Sequence, residues 1–374
     1  VRRQGVVRNR VPQEILSDAA LNHAIRQLPH NYNFELHKTV WRIKEDKVET
    51  VALQFPEGLL MYACTIVDIL EQFTGCSCVV LGDVTYGACC VDDLTAKALG
   101  CGLLVHYGHS CLVPIAVTSV KVLYIFVEIS IDTNHLVDCV KETFSKETRL
   151  ALMGTIQFAG AVHEAKNTLQ EQFNQVSVPQ AKPLSPGEVL GCTSPVIEDK
   201  DALVFVADGR FHLESAMIHN PGMQHFRYNP YTKVLTREHY DTPKMHSIRR
   251  DAIEKAMEAK SFGVILGTLG RQGNPLILEH LASVLRRKGK QYFILLLSEV
   301  FPAKLAAFAH VDAWIQIACP RLSVDWGHFF EKPLLSPYEA DVALGETDWQ
   351  DVYPMDFYAK GSGPWTNMHQ KRTM

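Results

Sequence analysis

The sequence predicts an α/β fold of three similar domains with pseudo-threefold likeness. Each is built on a parallel four-stranded sheet, with a helical arm before the first and a tail after the last. Three observations predict it. Short β-rich runs alternate with helical stretches along most of the chain, the pattern of strands joined by crossover helices. The runs fall into three series of roughly a hundred residues each, a weak internal triplication. Each series also holds a cysteine that closes a strand-like run: Cys89 in VTYGACCVDD, Cys192 in GEVLGCTSP and Cys319 in WIQIACPRL.

Residues 1–47 form the arm, with one helix expected in PQEILSDAALNHAIRQLP and then an irregular lead-in. Domain one, 48–148, carries the strand runs VETVALQFP (48–56), CSCVVLGDV (76–84), GLLVHYG (102–108) and KVLYIFVEI (121–129). Its helices are LLMYACTIVDILEQF and TNHLVDCVKETF. Domain two, 149–245, reads RLALMGTIQF (149–158), GEVLGC (187–192), ALVFVADG (202–209) and a weaker QHFRYNP (224–230), around the helix AVHEAKNTLQEQF. Domain three, 246–332, opens on the helix SIRRDAIEKAMEAK. It continues through SFGVILGTL (261–269), the helix LILEHLASVLRRKG, QYFILLLSEV (291–300) and HVDAWIQIAC (310–319). Apolar residues three and four apart fit amphipathic helices packed on sheets. Residues 333–374, rich in Pro, Gly, Asp and aromatics, are expected to wrap over the surface as a tail.

Composition narrows the function. At 374 residues the chain is too long for one ordinary core. With 47% hydrophobic and 21% charged residues it reads as globular. A net charge of −4 and a pI near 6.5 argue against direct nucleic-acid binding. The longest apolar runs are about half what a membrane helix needs, and no apolar segment follows the basic opening, so neither membrane nor signal peptide is expected. Ten cysteines in a chain this long are too sparse for a disulfide scaffold. Several sit among apolar residues, which fits a reducing, cytoplasmic setting.

Cys89, Cys192 and Cys319 lie too far apart in sequence for a zinc finger or a CxxC clip. Each stands in a loop at a strand end, where ligands gather in parallel sheets. Brought together, three soft thiolates would cradle an iron–sulfur cluster with one iron open to a substrate. Cys90 is adjacent to Cys89, and spacing alone does not choose between them; Cys111 in HYGHSCL is a fourth loop cysteine. QFPEGLL (54–60) sets a strand end, Pro and Gly before a helix, an anion-holding arrangement. GTLGRQGN (267–274) is a glycine-rich loop carrying Arg271 and Gln272, with neither the dinucleotide nor the P-loop spacing. HYGHS offers His106 and His109, and ADGRFHLES offers Asp208, Gly209, Arg210 and His212 at the matching place in the second series. An Asp and an Arg so placed suit the amino and carboxyl groups of an amino-acid-like ligand.

Taken together, QFPEGLL, GDVTYGACCVDD, HYGHSCL, GCTSP, VFVADGRFHLESA, GTLGRQG and ACPRLSVDWG resemble the 2-(3-amino-3-carboxypropyl)histidine synthase family of diphthamide biosynthesis. The resemblance covers 50–330 closely and, through YPMDFYAKG, much of the tail. It implies three α/β domains, each giving one cysteine, Cys89, Cys192 and Cys319, to a 4Fe–4S cluster. It implies S-adenosylmethionine on the open iron and transfer of its 3-amino-3-carboxypropyl group, by a radical route, to C2 of a histidine imidazole on elongation factor 2. Methylthioadenosine is the by-product. The resemblance further implies a heterodimer with a related second subunit, and a reductase or small electron-donor protein. The CxxxCxxC run of ordinary radical enzymes of this cosubstrate is absent, as the family's pattern requires.

From loop placement, the backbone of Gly58 and Gly87 and the side chains of Gln54, Asp208 and Arg271 are expected to hold the substrate. Two other readings compete. One is a Lewis-acid dehydratase resembling quinolinate synthase, which shares a three-cysteine cluster. The other is a non-catalytic partner subunit whose cysteines are structural or bind zinc.

Overall fold

The computed structural model describes residues 10–83 and 85–369. Residues 1–9 of the expected arm, Val84 at the end of the expected second strand, and 370–374 of the tail lie outside the described residues. The chain forms two compact units that divide between Ser130 and Ile131.

In the first unit, strands β1 (Tyr32–Asn33) and β6 (Glu128–Ile129) pair antiparallel as a short ribbon. Strands β2 (Thr50–Gln54), β3 (Ser77–Val80), β4 (Leu103–Tyr107) and β5 (Lys121–Ile125) form a parallel sheet in the order β3-β2-β4-β5. Alternate residues serve opposite faces, so Leu53, Val105 and Tyr107 pack with Ile66, Ile69 and Leu70 of the helix Ala63–Thr74. Ala52, Leu104 and Val122 meet Val91 and Ala96 on the other side. The expected arm helix is two helices, Gln13–Leu16 and Ala19–Ile25. Asp18 ends the first and caps the second, its carboxylate accepting from Ala20 N and Leu21 N at 2.9 and 3.0 Å. The expected irregular lead-in contains a further helix, Leu36–Asp46, which buries Val40 and Ile43.

The second unit holds two sheets. In one, β7 (Arg149–Gly154), β8 (Gln175–Ser177), β9 (Ala202–Val206) and β10 (Gln224–Asn229) run parallel, with β11 (Val234–Glu238) antiparallel at the edge, in the order β11-β10-β9-β7-β8. In the other, β12 (Ser261–Gly267), β13 (Gln291–Leu297), β14 (Ala313–Ile317) and β15 (Leu334–Leu335) run parallel in the order β13-β12-β14-β15. Numbered within its own series, each of the three sheets contains the order second, first, third, fourth, but the middle one adds β11 antiparallel at its edge and is five-stranded and mixed, not the expected four-stranded parallel sheet. The triplication seen in sequence is thus a repeat of strand connectivity.

Three expectations are corrected here. GEVLGC is not a strand: Gly187 takes φ +80°, and the segment makes only isolated bridges, Gly154 with Glu188 and Leu190 with Thr193. The edge strand is β8 instead. The helix Thr133–Thr143 belongs to the second unit rather than to the first series. Its Thr133 Oγ1 donates to Glu164 Oε2 at 2.8 Å, and His135 Nδ1 meets the Tyr228 hydroxyl at 3.0 Å. Much of the tail is core rather than surface wrapping. Tyr338, Tyr353 and Met355 are buried with Ile218, Met245 and Val324. A fully buried pair, Arg249 Nε to Glu339 Oε1 at 2.6 Å, ties the tail helix Pro337–Ala343 to the helix Thr242–Met257.

Among the described residues no helix is long and apolar enough to cross a membrane.

Candidate functional site

In the first unit the loop between β3 and the helix Asp93–Ala98 carries the adjacent cysteines. Leu81 N reaches Leu53 O at 2.9 Å, Thr85 N reaches Phe55 O at 3.2 Å, and Cys90 N closes a turn on Gly87 O at 2.9 Å. Gln54, the last residue of β2, braces the loop: its Nε2 donates to Cys90 O at 2.8 Å, and its Oε1 accepts from Asp92 N at 3.3 Å. His106 Nδ1 lies 2.9 Å from the same oxygen. Because an amide oxygen only accepts, Nδ1 carries the hydrogen. Burial, and to a lesser degree His109, holds this imidazole down to about 3, so it is neutral. These bonds place Cys90 inside, 2% exposed, and leave Cys89 half-buried. The loop thus distinguishes the two adjacent cysteines by burial.

Gln54 is itself 2% exposed, with its amide bonded to three protein groups. It acts here by positioning the cysteine loop rather than by facing a ligand. Gly58 is exposed in the short helix Glu57–Leu60, and Gly87 sits within van der Waals reach of Cys89 Sγ. His109 is half-buried beside His106, and Cys111 is exposed.

In the second unit the loops of Cys192 and Cys319 are joined by Arg321, which follows Cys319 by two residues and donates to Gly191 O at 3.2 Å. Burial pushes the Cys192 thiol up to about 12, and the charge of a Cys319 thiolate adds to it; the Thr193 hydroxyl and Arg321 pull the other way. Cys319 follows β14, where Gln316, fully buried, repeats what Gln54 does in the first unit. Its Nε2 donates to Cys319 O at 2.9 Å and Ser323 Oγ at 3.0 Å, and its Oε1 accepts from Ala318 N at 3.0 Å. The Cys192 loop is held by the tail: Ser194 N donates to Met355 O at 2.8 Å, Phe357 N to Cys192 O at 3.2 Å, and Tyr358 N to Thr193 Oγ1 at 2.9 Å. Gly191 is required for space, since a Cβ there would lie 2.2 Å from the Phe211 ring.

The glycine-rich loop after β12 lies against the Cys319 loop. A Cβ on Gly267 would stand 2.6 Å from the Ala318 Cβ, and one on Gly273 only 2.3 Å from Gly267 O. Arg271 is half-buried on this loop and Gln272 is 8% exposed. Asn274 caps the helix Pro275–Arg287 and also donates to Asn367 O of the tail. Asp208 is exposed, and its carbonyl accepts from Arg227 Nη1 at 2.7 Å. Arg210 pairs with Glu214 and Glu238. Burial, with Arg321 second, holds His212 down to about 4.

Gln316, Arg321, Gly191, Thr193 and Phe357 were not singled out by sequence reasoning. Only Gln316 left a signal, as the one amide inside the apolar run AWIQIA.

All ten cysteines are free. The donor set suits an iron–sulfur cluster, being soft loop thiols with no disulfide to lock them. Among the described residues no three His, Cys, Asp or Glu side chains converge tightly enough for a single metal ion. A cluster draws its thiolates from a wider cradle than one ion does.

Largely parallel sheets of similar connectivity, with a half-buried cysteine in a loop of each series, define an α/β protein that offers thiols from its loops. A family model described as putative diphthamide synthesis protein matches residues 55–354, and the chain belongs to that family of enzymes. Its relatives include proteins named 2-(3-amino-3-carboxypropyl)histidine synthase subunit 1. The one from Nematostella vectensis is 59% identical over 96% of this chain and 77% of its own length. That from Gallus gallus is 59% identical over 97% and 89%, and that from Homo sapiens 58% over 98% and 84%. Among solved structures, a crystal structure of Dph2 from Pyrococcus horikoshii with a 4Fe–4S cluster matches with TM-score 0.72 at 26% identity. It covers 85% of this chain and 93% of that one.

Proposed function

We propose that this chain catalyses the first step of diphthamide synthesis. It transfers the 3-amino-3-carboxypropyl group of S-adenosylmethionine to C2 of a histidine imidazole on elongation factor 2. The observation that carries this reading is the pair of braced loops holding Cys192 and Cys319, which Arg321 joins through its 3.2 Å bond to Gly191 O. Its support is the likeness to a Dph2 that holds a 4Fe–4S cluster.

Cys89, Cys192 and Cys319 would hold the cluster, each from a loop whose carbonyls and amides are already bonded to the fold. When bound and reduced, the cluster supplies the electron that breaks the bond between the sulfonium and the aminocarboxypropyl carbon. Arg271, on the loop that packs against Ala318, supplies a bidentate grip for the cosubstrate carboxylate. Asp208, which is exposed, would take its ammonium group. The hydrogen replaced at imidazole C2 would leave as a proton, with one electron given back to the oxidised cluster so that the transfer is redox-neutral overall, and methylthioadenosine leaves as the neutral thioether. The partners this reading calls for, as the family resemblance implies, are elongation factor 2, a related second subunit and a reductant, in the cytoplasm.

The test is anaerobic reconstitution of the chain with its related subunit, reduction, and assay of methylthioadenosine and modified elongation factor 2. The expected result is product formation that disappears in Cys89→Ser, Cys192→Ser and Cys319→Ser. Full iron and sulfide content with neither product would sink the transferase reading and favour a dehydratase.

A further inference from the structure

The strongest unassigned feature in the molecule is a buried arginine between two cysteine loops. Arg321 is 3% exposed and begins the helix Arg321–Trp326, two residues after Cys319. Its guanidinium reaches four separate groups. Nε bonds both oxygens of Asp325 at 2.9 and 2.8 Å. Nη1 donates to Gly191 O at 3.2 Å and to Phe211 O at 2.8 Å. Nη2 meets Glu214. The plane lies over the Phe211 ring, 4.3 Å from its centroid, and that ring fills the space that the missing side chain of Gly191 leaves.

These contacts join three segments that are distant in sequence: the residue before Cys192, the first turn of the helix Phe211–His219, and the residues after Cys319. The carboxylates are themselves held in place. Glu214 also pairs with Arg210 at 2.8 Å, Arg210 with Glu238 at 3.2 Å, and Glu238 with Arg227 at 3.2 Å. Charges thus alternate from Asp325 to the β10–β11 ribbon. A buried guanidinium with all its charge neighbours paired is costly to leave without acceptors. The Gly191 carbonyl is therefore held where Arg321 needs it.

We infer that Arg321 is a positioning residue that fixes the separation of the Cys192 and Cys319 thiols by clamping the Gly191 carbonyl to the start of the helix after Cys319. The inference rests on the reading of these two cysteines as cluster ligands, but it concerns their spacing in the cluster-free protein. Lysine does not substitute. Its three donors radiate from one nitrogen, whereas the planar fork serves acceptors on three sides at once.

The experiment uses the full chain without iron, treated with dibromobimane, which fluoresces only after bridging two nearby thiols. The Cys192–Cys319 bridged peptide is quantified by mass spectrometry, with alkylation of Cys89 as internal reference. Arg321→Met and Arg321→Lys are both expected to lower the bridged yield at least about fivefold, since bonds to a buried charge are lost. Cys89 alkylation should stay as in the parent. Parental bridging in both variants would overturn the inference. If either variant melts well below the parent, Asp325→Asn decides, because it loosens the fork while keeping the guanidinium. Reduced bridging at a parental melting temperature supports the clamp, and unchanged bridging refutes it. Because no iron takes part, the clamp stands or falls separately from the transferase reading. In reconstituted protein, a changed electron paramagnetic resonance line shape in Arg321→Lys is the corresponding spectroscopic mark.

Discussion

Phe357 N donates to Cys192 O at 3.2 Å, so a residue of the tail holds the backbone of a cysteine far earlier in the chain. Beside it, Tyr358 N donates to Thr193 Oγ1, and Thr193 is fully buried. Thr193→Val keeps the shape and removes the acceptor. It is expected to destabilise the chain by about 1–3 kcal/mol, because a buried amide is left unbonded. Iron retained after reconstitution should fall with it. Urea denaturation checks the first effect; an unchanged midpoint would mean that the tail clasp contributes nothing at this point.

Cys89 and Cys90 should differ sharply. The half-buried Cys89 faces outward, whereas Cys90 is packed inside with its carbonyl bonded to Gln54. Cys89→Ser is expected to abolish retention of iron and sulfide, and Cys90→Ser to preserve it. Iron and sulfide analysis of the two proteins, prepared side by side without oxygen, gives the answer. The opposite result would move the ligand to Cys90.

Gln316→Leu tests the brace beneath Cys319. It leaves Cys319 O and Ala318 N without their side-chain partners. The expected loss is about 1–3 kcal/mol. Dibromobimane bridging to Cys192 should also fall, as the loop drifts. A variant as stable as the parent with undiminished bridging would show that the loop needs no brace.

Gly191→Ala places a methyl group where the Phe211 ring already lies, 2.2 Å away. Overpacking of this kind costs about 1–3 kcal/mol. Adding Phe211→Leu makes room and should recover part of the loss, which thermal melting of the single and double variants will show. No recovery would place the strain in the backbone of Gly191 rather than in the ring contact.

The pH dependence of stability carries the signature of His106. Burial first, and His109 second, hold the folded imidazole down to about 3, while an unfolded one titrates near 6.5. Between those values the unfolded chain binds the proton and the folded chain does not. Stability therefore falls as pH drops from about 6.5 towards about 3, with no contribution above 6.5. His106→Asn is expected to flatten that acid limb by about one proton. Unfolding midpoints measured across the range decide it, and parallel curves would assign the acid sensitivity to other buried histidines such as His212 and His225.

The strands were legible where apolar runs are long and bounded, as in ALVFVADG, SFGVILGTL and HVDAWIQIAC, because parallel strands are buried on both faces. Local composition misled where a single residue changes the backbone. Asp18 splits the arm helix by capping its second half, and Gly187 turns GEVLGC out of the sheet. The tail was misjudged because Glu339 is polar in sequence, yet it is buried opposite Arg249.

The sequence by itself determined the α/β class, the series of strands, and the three loop cysteines, of which Cys319 follows a strand directly and Cys192 does not. Periodicity and residue chemistry are properties of neighbouring positions, and those survive in a string of letters. Tertiary structure alone decided which cysteine of the adjacent pair faces outward, that buried glutamines brace two of the loops, and that Arg321 and Phe357 hold the Cys192 loop. Those choices depend on donors and acceptors more than a hundred residues apart, such as Arg321 and Gly191 or Tyr358 and Thr193. Such partners meet only when burial removes water and leaves each polar group to find its bond within the protein.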